Sequence, residues 1–163
     1  MSKFTEIHFD MDGVLCDFKG RVELLAGKRF ELLSSKEMWT IVNKDEKFFE
    51  NLRPNQDMLD LMVWCTIHTN CSIRVLSATG HNHHAVAEQK YNWLKSNAAI
   101  ALIERAKFVP SSDAKRFHAH SKAILIDDSP RSINPWCEYG GVGILHVDFD
   151  TTFAKLKKLL AIS

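Results

Sequence analysis

The sequence predicts an α/β protein: a three-layer, parallel sheet with a small helical cap inserted after the first strand. Three observations predict it. Short apolar runs alternate with helical stretches, two of the runs end in paired aspartates, and residues 18–65 show no strand-like alternation. Strands alternating with helices argue for a parallel sheet covered on both faces.

A first strand is expected over about Thr5 to Asp10, where Ile7 to Phe9 form an apolar run with one polar interruption. Gly13 lets the chain turn just after it. From Phe18 to about Val63 the apolar positions keep helical spacing: Val22, Leu24 and Leu25, then Met38, Trp39, Ile41 and Val42, then Met58, Leu59, Leu61 and Met62. Asp17 is placed to cap the first of these helices. The core is therefore read as residues 1–17 and 66–163, and the cap as residues 18–65. A second strand spans Ile73 to Ser77, and a helix runs from about His83 to Lys95 with Val86, Lys90, Trp93 and Leu94 on one stripe. Short strands follow near Ala106 to Val109, over Ala123 to Asp127, and over Val142 to Val147 after the Gly140-Gly141 turn. Asp150 or Thr151 is expected to cap a last helix with Phe153, Leu156, Leu159 and Leu160 on its apolar face.

A chain of 163 residues suits one domain with a small insertion, and 45% hydrophobic and 25% charged residues match a soluble globular protein. A net charge of +1 offers no basic field for duplex nucleic acid. There is no signal-peptide pattern and no run of the ~18 apolar residues that crosses a bilayer. The four cysteines lack close metal-ligand spacing and are expected to stay reduced, which argues for the cytoplasm.

The aspartates carry the chemistry. Asp10 and Asp12 follow one strand, and Asp127 and Asp128 end another. Ligands of open α/β sheets gather at these carboxyl ends. Four like charges there would repel unless a cation sat among them, and hard oxygen donors favour Mg²⁺. A carboxylate can open a phosphate monoester as nucleophile, and a second carboxylate two residues on shares its strand face and can move the proton. Asp10 and Asp12 have that spacing. A hydroxyl and amides for phosphoryl oxygens could come from Ser77 and Ala78 at another strand end. Lys115 can offset the shared charge, with Lys122 as competitor.

This ordered set resembles the haloacid dehalogenase-like (HAD) phosphatases. DMDGV at 10–14 resembles their first motif, VLSATG at 75–80 the second, and LIDDSPRSINPW, with Asn134, the fourth; Lys115 lies about a dozen residues before the LIDD strand, as in a related group. Within that superfamily, DMDGVLCDF, the helical insertion after it, QKYNWL and LIDD are most similar to 5'(3')-deoxyribonucleotidases and their small phage and bacterial relatives. The resemblance implies a Rossmann-like sheet, and Asp10 as nucleophile and Mg²⁺ ligand. Asp12 would be the general acid/base and lend its carbonyl to the metal. Ser77 and Lys115 would bind phosphate. Asp127 would ligate Mg²⁺ directly with Asp128 beside it, or the reverse. Phe18 falls where that group places a base-stacking aromatic, and Trp39, Phe48 and Phe49 are further candidates from the cap, although each of the four reads first as cap core. Ser77-Ala78-Thr79 departs from the usual Thr-Ser of the second motif.

The expected partner is a small phosphate monoester, foremost a nucleoside monophosphate; a dimer is possible. A sugar phosphate or a nucleic-acid 3' end are alternative esters. A non-catalytic phosphate- or metal-binding module is the alternative of another class. Receiver domains use similar acids, but they put the acid pair first and the lysine last. His81, His83 and His84 could suggest zinc, but they lack a matching cysteine or acid and read as a solvated face.

Overall fold

The computed structural model describes residues 2–162. In chain order the elements are β1 (Glu6–Phe9), α1 (Phe18–Ala26), α2 (Ser35–Lys44), α3 (Gln56–His68), β2 (Ser72–Ala78), α4 (His83–Asn97), α5 (Ile100–Ile103), β3 (Lys107–Val109), β4 (Ala123–Asp127), α6 (Pro130–Glu138), β5 (Val142–Leu145) and α7 (Phe149–Leu160), with 3₁₀ turns at Phe30–Leu32 and Asp113–His118. The strands form one parallel sheet in the order β3-β2-β1-β4-β5.

The first strand of the chain is thus the middle of the sheet. Ile7 and Phe9 are fully buried, as are Ala123 to Ile126 of β4. Alternation sends Ile124 and Ile126 into one cluster with Ile7, Phe9, Val75 and Trp93, and Ala123 and Leu125 into another with Leu76, Ile133 and Trp136. An uninterrupted apolar run is what a strand covered on both faces requires. Each such large side chain contributes roughly 1.5–3 kcal/mol by leaving water.

The insertion leaves and returns at one place. Asp17 N donates to Arg53 O at 2.9 Å and Asn55 N donates to Leu15 O at 2.8 Å, so the two crossings are tied side by side. Between them α1 is capped by Asp17, whose carboxylate accepts from Gly20 N at 2.8 Å, and α2 by a Ser34–Glu37 capping box. Residues 56–65, expected in the cap, instead lie in α3, which packs against β2 and α7.

Two expectations are corrected. The cap of α7 is Asp148, whose carboxylate accepts from Thr151 N at 2.7 Å, so Asp150 and Thr151 lie inside the helix. The strand expected to reach Val147 stops at Leu145, because the chain turns there towards the Asp148 cap. Sequence periodicity also missed α5 and α6, both short, the latter interrupted by Pro135. No helix among the described residues is long and apolar enough to cross a membrane.

Candidate active site at the strand ends

Register brings the acids together. Phe9 of β1 pairs with Ile126 of β4, and Asp10 N donates to Ile126 O at 3.0 Å, so Asp10 and Asp127 emerge side by side at the carboxyl edge. Asp128 joins them: ligand oxygens of Asp10, Asp127 and Asp128 all lie within 4.8 Å of one another. Among the described residues this is the one group of three or more acid, histidine or cysteine side chains placed to hold a metal. Gly13 closes the floor with a positive φ of 78°.

Lys115 sits inside this cluster. Its ammonium donates to Asp10 Oδ1 at 2.7 Å and to Asp127 Oδ2 at 2.6 Å, with the side chain buried. Burial opposes its charge, but Asp10 and Asp127 outweigh burial and hold the lysine above its ordinary value. The competing Lys122 is exposed. Burial and the Asp10 charge push Asp127 up to about 6 despite Lys115. Partial desolvation at the strand end and the carboxylates of Asp10, Asp127 and Asp12 push Asp128, which is itself exposed, up to about 7. Three carboxylates against one ammonium leave an excess of negative charge that a proton or cation must offset.

Those residues fit Mg²⁺. Every donor is a hard oxygen, and the buried Ser132 hydroxyl on the same cavity wall has no hydrogen-bond partner, so it is free to meet a bound water or an anionic oxygen.

Asp12 lies beside the triad and is held from the other side. Lys90 Nζ donates to Asp12 Oδ2 at 2.8 Å, to Ser77 Oγ at 2.7 Å and to Ala78 O at 2.8 Å. Sequence reading placed Lys90 on an apolar stripe and gave it no role. A lysine is rarely buried unless paired, and the place of Lys90 on that stripe did not disclose the partner.

A cavity of about 300 Å³ opens above the acids, lined by Asp10, Asp12, Lys115, Asp127 and Asp128 below and by Phe18, Phe30, Met38 and Trp39 of the insertion above. A neighbouring cavity of about 570 Å³ shares Asp12, Trp39, Ala78 and Ser112 with it and adds Phe49 and His81. The predicted residues are therefore not equally placed. Phe18, Trp39 and Ala78 reach the first cavity and Phe49 the second. Ser77 is fully buried, its hydroxyl turned to Lys90, and Phe48 is buried against Phe18 with ring centroids 5.2 Å apart, off both cavity walls. Phe30 and Met38 were not anticipated. His84 is exposed, and the side chain of His83 lies outside the described residues.

No protein-family model matches the sequence, and no curated protein matches it. Solved structures do match. A HAD family hydrolase of Deinococcus radiodurans R1, solved with bound phosphate and sodium, aligns over 100% of both chains with a TM-score of 0.63 at 12% identity. A haloacid dehalogenase-like hydrolase of Xanthomonas campestris aligns over 99% of this chain and 98% of its own, with a TM-score of 0.59 at 13% identity. A hydrolase of Streptococcus pneumoniae TIGR4 aligns over 98% and 100%, with a TM-score of 0.57 at 14% identity. The fold is the HAD-like one. In the HAD-like sheet of this chain, the acids of β1 and β4 occupy the carboxyl edge where such sheets collect ligands.

Proposed function

We propose that the chain is a Mg²⁺-dependent phosphomonoester hydrolase of the HAD superfamily, working through an aspartyl-phosphate, with a nucleoside monophosphate as substrate. The observation that carries this reading is the meeting of Asp10, Asp127 and Asp128 around Lys115, with Asp12 alongside. The Deinococcus radiodurans neighbour of the same fold was solved with bound phosphate and sodium, which is consistent with this reading. The inserted unit facing the acids is residues 18–52 in this reading, and the free thiols fit a reducing, cytoplasmic setting.

Asp10, Asp127 and Asp128 would hold Mg²⁺, which when bound supplies charge for the phosphoryl oxygens. Asp10 attacks phosphorus; the ester P–O bond breaks and the leaving oxygen takes a proton from Asp12. Asp12 then takes a proton from water, whose oxygen attacks phosphorus and breaks the bond to Asp10. Phosphate leaves and both aspartates are restored. Lys115 offsets the charge on Asp10 throughout. The rings of Phe18, Phe30 and Trp39 form an apolar roof suited to a flat base, which favours a nucleotide over a sugar phosphate.

The test is phosphate release from p-nitrophenyl phosphate with and without Mg²⁺, followed by a screen of nucleoside 5'- and 3'-monophosphates against sugar phosphates. Asp10→Asn should be inactive while folded. Activity equal to wild type in that variant would remove the covalent route, and a preference for sugar phosphates would remove the nucleotidase assignment.

A further inference from the structure

We infer that Lys90 is a positioning residue for proton transfer, fixing the carboxylate of Asp12 towards the leaving group; the inference rests on the phosphatase reading above. Lys90 comes from the middle of α4, its side chain is 1% exposed, and its three ammonium protons match three acceptors: Asp12 Oδ2, Ser77 Oγ and Ala78 O. The ammonium also lies 5.1 Å from the centre of the Phe49 ring. With its donors taken up within the protein, Lys90 acts on the reaction through Asp12.

Stability does not explain the charge. A buried ion pair replaced as a whole by apolar side chains is often no less stable, so burial of Lys90 and Asp12 as a pair is weak evidence for a stabilising role, although removing Lys90 alone leaves Asp12 and Ser77 without this donor. What the lysine adds is direction. Asp12 follows β1 in a turn, partly exposed, with one oxygen facing Cys16 Sγ at 3.7 Å. Without Lys90 its carboxylate could swing into the shared mouth of the two cavities. Lys90 pins the other oxygen to the end of β2, so the proton donor stands at a fixed distance from Asp10. Small displacements of such a group lower rates strongly.

The test uses leaving groups. An alkoxide needs the proton from Asp12, whereas p-nitrophenolate leaves without one. Lys90→Met should lower kcat/KM about 100-fold for the best alkyl monophosphate of the screen, the usual scale of a displaced general acid, but less than about 5-fold for p-nitrophenyl phosphate. Lys90→Arg, which keeps the charge, should recover part of the alkyl rate. In an Asp12→Ala background, Lys90→Met should have little further effect. The Mg²⁺-induced rise in melting temperature should persist, since Lys90 does not touch Asp10, Asp127 or Asp128. Equal losses on both substrates, or an undiminished loss in the Asp12→Ala background, would overturn the inference. Should Lys90→Met not fold, Lys90→Gln carries the same comparison. If Asp10→Asn is inactive and the losses are even, the Lys90 role alone is wrong. If Asp10→Asn is active, the phosphatase reading has failed first.

Discussion

Gly13 passes so close to Asp128 that a β-carbon on it would lie 2.0 Å from Asp128 Oδ2. Its φ of 78° is also one that L side chains rarely adopt. Gly13→Ala should therefore be destabilising by about 1–3 kcal/mol in urea unfolding, and should displace Asp128. The accompanying effect is a weaker Mg²⁺-induced rise in melting temperature. Wild-type stability together with an unchanged Mg²⁺ response would contradict the close approach.

Asp128 also makes the cation-free protein sensitive to pH. Its folded value is raised to about 7, so the folded chain keeps a proton that the unfolded chain releases from about pH 4 upward. The contribution of this group to stability thus falls as pH rises through that window and is lowest above about pH 7. At pH 8 in a chelator, Asp128→Asn should melt higher than wild type. Added Mg²⁺ should raise wild type more than the variant. An equal Mg²⁺ shift in both would take Asp128 out of the cation site.

His8 works in the opposite sense. A buried residue of β1 with its ring 5.2 Å from Trp136, it is pushed by burial down to about 4, although its bond to Glu6 at 2.9 Å acts the other way. Between about pH 6.5 and 4 the unfolded chain binds a proton that the folded one refuses. Stability should fall through that window by roughly 1.4 kcal/mol per pH unit, or about 3 kcal/mol in all, and no further below it. His8→Phe should flatten this slope in denaturant titrations at pH 7 and pH 4.5. A slope as steep as wild type would assign the acid sensitivity elsewhere.

Trp39 is 46% exposed yet lines both cavities, a placement that spends little burial on the core. Trp39→Ala should raise KM for a nucleoside monophosphate about 10-fold with kcat nearly kept, and leave p-nitrophenyl phosphate turnover unchanged. A uniform loss on both substrates would make it a structural residue of the insertion.

The acids were legible in the sequence because strand ends can be found from an apolar run and a turn, and β1 and β4 advertise both. Lys115 was within reach through the resemblance, which places a lysine about a dozen residues before the LIDD strand. Lys90 was not, since helical periodicity sorts residues by stripe and says nothing of what the stripe faces. Phe48 and Trp39 look alike in sequence, yet one packs into the core and the other stands at the cavity mouth, a distinction set by tertiary packing. Nor does apolar spacing separate α3, which covers the sheet, from the helices before it. The separation rests on the paired crossings at residues 15–17 and 53–55, which are backbone contacts.

Because β1 lies between β2 and β4, the segment a ribosome would release first among these strands has both of its edges filled by segments made later. Asp10 meets Lys115 and Asp127 across more than a hundred residues of chain, so a nascent polypeptide stalled before β4 lacks two of the three carboxylates of the triad. The acidic cluster of this site is therefore assembled only after β4 has been made.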